Sequence, residues 1–307
     1  MERRITGIFR IRKGLNLEET FIVKFNGGLG NQMFQYAFAR ALEAETNTKT
    51  VFDMSFFEKK YARPFELDIF NVKVETITNF WDKLKLKLIW KLRKKLNGKK
   101  ILGINFYCEP HFEFDEKLFK LDKNTYIEGF FQGEKYFKDI EDIIRADFQF
   151  KNMPNEQNQV LIEKINATNS ISLHIRRGDY VQKKRYQNVY ATCSLDYYKR
   201  GVEYIAGMFE NPTLFIFSDD IEWVKENLQL PYEGVYVSHN TGNRSYEDMR
   251  LMSLCKHNVI ANSSFSWWGA WLNNNKEKVV IAPKKWFNDE KIVQTDVIPK
   301  DWVRIKN

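Results

Sequence analysis

The chain has 307 residues, 43% of them hydrophobic and 15% aromatic, and carries a formal charge of +8. That apolar content excludes a disordered chain, and the length suits two domains. The positive excess favours an acidic partner, whether nucleic acid, anionic lipid or a phosphorylated substrate.

Three cysteines, Cys108, Cys193 and Cys255, stand far apart with no CxxC, the pattern of reduced thiols in a cytosol-like compartment. The four histidines show no metal-ligand spacing. Residues 1–20 are basic, lack the apolar run of a secretory signal, and read as an extension to the first domain. No run of 18 apolar residues occurs, so no helix is expected to span a membrane.

Phe21-Ile22-Val23-Lys24-Phe25 reads as the first strand. It runs into Asn26-Gly27-Gly28-Leu29-Gly30-Asn31-Gln32 and then a helix, on which Phe34, Ala37, Phe38, Ala41 and Leu42 share one face. A strand, a glycine-rich turn and a helix N-terminus suit an anion, because unpaired N–H groups and the helix dipole both favour one. The dinucleotide fingerprint would need a third glycine where Met33 stands, and no Walker loop is present. A tight turn without a ligand is the alternative. Thr50-Val51-Phe52-Asp53 predicts a second strand, and the pattern is then mixed to about residue 150. Residues 83–100 hold nine Lys or Arg and no acid, interleaved with Leu84, Leu88, Leu92 and Leu96. This amphipathic helix has two readings: a surface for anionic lipid head groups, or a core-facing leucine stripe with a solvated basic back.

Residues 151–158, polar with Pro154, predict a linker. Strands are then expected over 171–175, 213–217, 234–237, 259–261 and 279–282, with helices opening near Ser194, Asp220, Ser245 and Ser264. Asp248, three residues after Ser245, completes an approximate capping box. Such alternation predicts a parallel, doubly wound sheet, whose ligands bind beyond the carboxyl ends of the strands. There stand Arg176-Arg177, Ser218-Asp219-Asp220 and Asn262-Ser263-Ser264. Strand alternation turns His174 and Arg176 to one face and Arg177 to the other. Arginines and serines fit the phosphates of a nucleoside diphosphate, and a carboxylate fits a base that offers two N–H donors, as guanine does. One of Asp219 and Asp220 is expected to cap the next helix and the other to face the ligand. The two acids are also a candidate Mg²⁺ or Mn²⁺ site. Two arginines already neutralise a diphosphate, however, and no third oxygen ligand is apparent, so the metal reading ranks below the metal-free one.

His174-Ile175-Arg176-Arg177-Gly178-Asp179-Tyr180 resembles the HxRRxD motif of inverting fucosyltransferases. The run from Gly27 to Ala37 and the run from Asn262 to Leu272 resemble the narrower set of glycosyltransferase family 11, the α-1,2-fucosyltransferases. Gly129-Phe130-Phe131-Gln132 and Ile281-Ala282-Pro283-Lys284-Lys285-Trp286 resemble further segments of its bacterial members. The resemblance implies an α/β fold of the GT-B type, two Rossmann-like domains facing a cleft. Residues 1–20 would be the extension, 21–155 the acceptor-side domain and 156–307 the GDP-fucose-binding domain. The implied reaction is inverting, metal-independent transfer of fucose from GDP-β-L-fucose to a terminal β-galactose. Arg176, on the donor's diphosphate, and Asn31, reaching the donor, would be catalytic. Gly28, Gly30, His174, Arg177, Asp179, Asp219, Asp220, Asn262, Ser263 and Ser264 would bind substrate. No general base is assigned among Asp53, Glu66, Asp68, Glu128 and Glu134. Without the anchor and stem of animal members, the chain looks bacterial and cytoplasmic, with a peripheral hold on the inner membrane face if the lipid reading of the basic helix applies. No nucleic-acid partner is expected. A non-catalytic nucleotide-sugar or glycan-binding protein is the alternative function.

Overall fold

The computed structural model describes residues 19–96, 101, 103–178, 191–289 and 292–307. Residues 1–18 of the expected extension, and Asp179 and Tyr180 of the arginine motif, lie outside the described residues. The chain divides into two compact units, the first ending at Lys151 and the second running over Asn152–Asn307.

The first unit is built on a four-stranded parallel sheet. Its strands are β1 (Phe21–Lys24), β2 (Thr50–Asp53), β3 (Asn105–Cys108) and β4 (Thr125–Glu128), in the order β2-β1-β4-β3. β1 pairs with β2 on one side and β4 on the other and is buried throughout, which suits its apolar Phe21-Ile22-Val23, and its buried Lys24 pairs with Glu128. Helix α1 (Leu29–Thr46) buries Phe34, Ala37, Phe38, Ala41 and Leu42, the face its spacing predicts. Stacked rings fill the interior, Phe25 on Phe52 at 4.2 Å and Phe38 on Phe131 at 4.0 Å. The fold begins within the expected extension, since the Thr20 carbonyl accepts the Asn124 N–H at 3.1 Å.

The basic segment forms helix α2 (Phe80–Leu96), but its leucine row does not face the core. Leu86 and Ile89 enter the core beside Ile22, Val51 and Tyr126, with Leu92 partly buried. Leu84 and Leu88 stand 47% and 45% exposed. The helical period explains this. Four residues exceed one turn of about 3.6, so an i,i+4 row drifts around the helix, from exposed Leu84 and Leu88 toward partly buried Leu92. A short helix α3 (Glu141–Asp147) closes the unit.

The second unit holds six parallel strands in the order β10-β9-β8-β5-β6-β7. They are β5 (Asn169–Ile175), β6 (Pro212–Ser218), β7 (Glu233–Val237), β8 (His257–Val259), β9 (Val280–Pro283) and β10 (Val303–Ile305). Helices α4 (Glu156–Ala167), α5 (Leu195–Ala206), α6 (Ile221–Asn227), α7 (Tyr246–Leu254) and α8 (Ser264–Trp271) connect and cover them. Alternation along β5 and β6 feeds two cores. Ile171, Leu173 and Ile175 pack with Tyr197 and Val202 of α5 and Val224 of α6. Phe215 and Phe217 pack on the other face with Ile165 of α4 and with Leu251 and Met252 of α7. The doubly wound sheet is therefore present as expected.

Three local expectations change. The segment read as a linker is helical from Glu156, because the Asn155 side chain accepts the Asn158 N–H at 3.0 Å and caps α4. No capping box forms at Ser245. Its backbone is already helical (φ −57°, ψ −22°), whereas a cap needs an extended residue, and Asp248 Oδ1 instead accepts from Asn240 at 2.9 Å. β8 lies two residues earlier than the run expected over 259–261. Trp267, Trp268 and Trp271 are buried core, and Trp267 Nε1 donates to the Val297 carbonyl at 2.7 Å.

Candidate active site

The carboxyl ends of β5 and β6 lie side by side, in register from Asn169↔Pro212 to Ile175↔Ser218. The turns just past the two strands meet through their charged side chains. Arg176 Nη1 lies 2.8 Å from Asp219 Oδ2, and Arg177 Nε lies 3.2 Å from Asp220 Oδ2. The Arg177 N–H donates to Asp219 Oδ1 at 2.9 Å. Asp219 thus grips the turn by side chain and backbone together. Gly178 allows this approach, because a Cβ there would collide with the Asp219 carboxylate. The Arg177 guanidinium lies over Trp223 of α6, 3.3 Å from the ring centre, a contact open to a delocalised cation.

His174 and Arg177 take opposite sides, as the alternation assigns them. Arg177 turns to the α6 side, and His174 to the side of α8, where its ring lies 5.9 Å from Phe265. His174 is buried and its Nδ1 has no hydrogen-bond partner. Burial brings its pKa down to about 4, with Asp219 opposing and Arg176 adding to the shift, so the ring is neutral near pH 7. The expected cap at α6 is absent. Asp220 stands at the N-cap but makes no side-chain cap bond, because its carboxylate turns to Arg177. Ser218 Oγ takes the Asp220 N–H instead, at 3.0 Å.

Beyond β8 the picture differs from the sequence reading. Asn262 is buried, and its amide donates to the carbonyls of Ala191 and Trp286. Its amide nitrogen braces the loop. Ser263 is the extended N-cap of α8 and makes no side-chain cap bond, and Ser264 opens the helix half-buried.

In the first unit, Gly27 turns the chain at φ +82°, where a Cβ would meet the Asn31 amide at 2.5 Å. Gly28 is the N-cap of α1, and Gly30 and Asn31 lie in its first turn. The open anion site expected there already has a carboxylate. Glu66 accepts the Leu29 N–H, with its pKa raised by burial and held back by Arg63. Two buried glutamines and a neighbouring strap fix the turn. Gln35 accepts from the Asn26 N–H at 3.0 Å and donates to the Gly129 carbonyl at 2.9 Å, and Gln132 donates to Asn31 Oδ1 at 2.9 Å. Glu109 in turn holds the strap, accepting from Phe130 and Phe131 N–H at 2.6 and 3.1 Å. Burial pushes its pKa up to about 7 against those two bonds. Sequence reasoning missed Gln35, Gln132 and Glu109 as site residues. The first two lie inside quoted motifs, whereas Glu109 lies in none.

Of the other acids left open as bases, Asp53 accepts from the Tyr126 hydroxyl at 2.6 Å and from Ser55, and Glu128 pairs with Lys24 at 2.6 Å. Among the described residues no three His, Cys, Asp or Glu side chains gather as a metal site, and no helix is long and apolar enough to cross a membrane.

The profile of Glycosyl transferase family 11 matches residues 4–306. The chain belongs to this family. One relative, the alpha-1,2-colitosyltransferase of Escherichia coli, is 35% identical over 294 residues, 93% of this chain and 98% of the relative. Galactoside alpha-(1,2)-fucosyltransferase 1 of Saimiri boliviensis boliviensis is 23% identical over 269 residues, 84% of this chain and 66% of that protein. A solved structure of an Arabidopsis thaliana FUT1 mutant in complex with GDP aligns with a TM-score of 0.52 at 10% identity, covering 95% of this chain and 77% of that one. That likeness concerns the fold. The family 11 chain is a glycosyltransferase whose α/β units with parallel sheets are of the GT-B type.

Proposed function

We propose that the chain is an inverting α-1,2-fucosyltransferase that moves L-fucose from GDP-β-L-fucose to a terminal β-galactose. The observation that carries this reading is the meeting of Arg176 and Arg177 with Asp219 and Asp220 at two adjacent strand ends. The names of the relatives, both α-1,2 transferases and one a galactoside fucosyltransferase, support it. In the reaction, galactose O2 attacks the anomeric carbon of fucose. The bond from that carbon to the diphosphate oxygen breaks, its electron pair leaves with GDP, and the hydroxyl proton passes to a base or to water. Negative charge grows on the leaving oxygen, so a fixed cation there stabilises the transition state more than the ground state.

We give that part to Arg176, with Arg177 and the hydroxyls of Ser263 and Ser264 on the remaining phosphate oxygens. A guanidinium has five N–H donors, enough to hold a carboxylate and a phosphate together. Asp219 is built into the strand-end turn, so Asp220 is the acid given to guanine. His174 supports Arg176 as a neutral ring, Asn262 sets the place of Ser263, and Asn31 keeps the catalytic role that the family resemblance implies. Gly28, Gly30 and Asp179 are retained as donor-binding positions, and no metal takes part. The protein is placed in the cytoplasm with a peripheral hold on an anionic membrane surface.

The 35% relative favours a second reading, transfer of colitose, which lacks one hydroxyl of fucose. Release of the nucleoside diphosphate from GDP-fucose, GDP-colitose, GDP-mannose and UDP-sugars, each with and without a β-galactoside and in excess EDTA, decides among these. Acceptor-dependent release from GDP-fucose in EDTA is expected. Faster release from GDP-colitose would change the donor. Activity that vanished in EDTA and returned with Mn²⁺ would restore a metal at Asp219 and Asp220. Binding of GDP-fucose with no release would make the chain a binding protein.

A further inference from the structure

Helix α2 turns two apolar faces in opposite directions. Leu86 and Ile89 lie in the core, 5% and 1% exposed. On the far side Phe80, Trp81, Leu84 and Leu88 form an outward row, with Phe80 and Trp81 70% and 72% exposed. Their spacing (i, i+1, i+4, i+8) keeps them on one side of the helix, and the two aromatic rings meet edge to face at 5.5 Å. Asn79 Oδ1 accepts the Trp81 N–H at 2.8 Å, which fixes the helix start just where the row begins. Lys83, Lys85, Lys87 and Lys91 flank the row. Lys83 leans to Glu58 at 3.2 Å, in an exposed pair that solvent screens. The sequence continues with Arg93, Lys94, Lys95, Lys99 and Lys100 and no acid.

Charge complementarity selects the occupant. A second copy would bring lysines against lysines. Nucleic acid would meet the cations but give Leu84 and Leu88 nothing to pack on. An anionic bilayer meets both needs, with lipid phosphates for the lysines and the headgroup–acyl boundary for Trp, Phe and Leu. We propose that α2 is a membrane-docking helix whose Phe80, Trp81, Leu84 and Leu88 enter an anionic phospholipid surface, with the flanking lysines on its phosphates. The inference rests on the peripheral membrane contact proposed above and names the face that makes it.

The test is co-sedimentation of the full chain with phosphatidylglycerol-containing and pure phosphatidylcholine vesicles, for the wild type and two variants. One variant combines Trp81→Ser, Leu84→Ser and Leu88→Ser; the other combines Lys87→Glu and Lys91→Glu. All these residues are exposed, so both variants should unfold at the wild-type temperature. Wild type should bind the anionic vesicles at least tenfold better than neutral ones, and each variant should lose at least tenfold of that binding. GDP release with a soluble β-galactoside should be unchanged in both. Vesicle binding unaffected by the serine variant, equal binding to neutral vesicles, or tighter binding to single-stranded RNA would overturn docking by this face. A chain that turns over but ignores vesicles refutes docking alone, and one that binds vesicles without turnover refutes the transferase reading alone.

Discussion

Asp219 and Asp220 are adjacent in sequence and similar in chemistry, yet the structure separates their consequences. Asp219 makes two contacts within the turn, the 2.8 Å pair with Arg176 and the 2.9 Å bond from the Arg177 N–H. Its side chain is 26% exposed. A hydrogen bond to a charged group contributes about 1.5–3 kcal/mol when sheltered, and an exposed pair about 0–1. Partial screening places the cost of Asp219→Asn, which keeps an acceptor but loses the charge, at about 1–2 kcal/mol of stability. Asp220 is more exposed and makes no cap bond, so Asp220→Asn should cost less than about 0.5 kcal/mol. The order should reverse for ligand. An acid that accepts two guanine N–H bonds loses at least tenfold in GDP affinity, about 1.4 kcal/mol, when it becomes an amide. Denaturant unfolding and calorimetric titration of GDP, run on both variants, give four numbers. If Asp220→Asn leaves the GDP affinity within threefold of wild type, or if Asp219→Asn leaves stability untouched, this division of labour is wrong.

Three further outcomes can be checked with single variants. Arg176→Ala should lower turnover by about two to three powers of ten, and Arg176→Lys should recover little because the planar fork is lost; an alanine variant retaining a tenth of wild-type rate removes Arg176 from the leaving group. Glu109 has its folded pKa raised from 4.5 to about 7, so the native state holds the extra proton in that window, and stability should fall as pH rises through it, by up to about 3 kcal/mol. Asp248, raised by burial from 3.8 to about 7, acts in the same direction, so Glu109→Gln should flatten the pH dependence of the unfolding midpoint only in part; an unchanged slope would show that Glu109 titrates normally. Leu86→Ala should destabilise by about 2–4 kcal/mol, whereas Leu84→Ala should stay within about 0.5 kcal/mol, and equal costs would contradict the facing of α2.

The second unit was legible in the sequence because its two longest strands, β5 and β6, are buried on both faces. Ile171–Ile175 and Thr213–Phe217 were recognised within two residues at each end from their apolar runs. β3 and β4 escaped, since Asn105–Cys108 and Thr125–Glu128 mix polar and aromatic residues without a clean period. The arginines and aspartates were visible as neighbours at strand ends, but which carboxylate meets which guanidinium depends on the register of β5 and β6, a long-range property. The bracing role of Asn262 was hidden for a related reason. A polar residue after a strand looks like a ligand, and only the return of Ala191 and Trp286 to its side shows that its amide is taken. Glu109 gave no local signal, because its role comes from a strap some twenty residues later in the chain.

The two ion pairs at the ends of β5 and β6 make the resting strand ends nearly neutral, although the whole chain carries +8. An anion arriving there meets guanidiniums whose charge a carboxylate already offsets, so inorganic phosphate alone gains less than it would from unpaired arginines. A ligand that brings phosphates for the arginines and N–H donors for a displaced carboxylate leaves neither charge unmatched. If the arginines and Asp220 hold GDP as proposed, the paired arrangement rewards phosphate and base together above either alone.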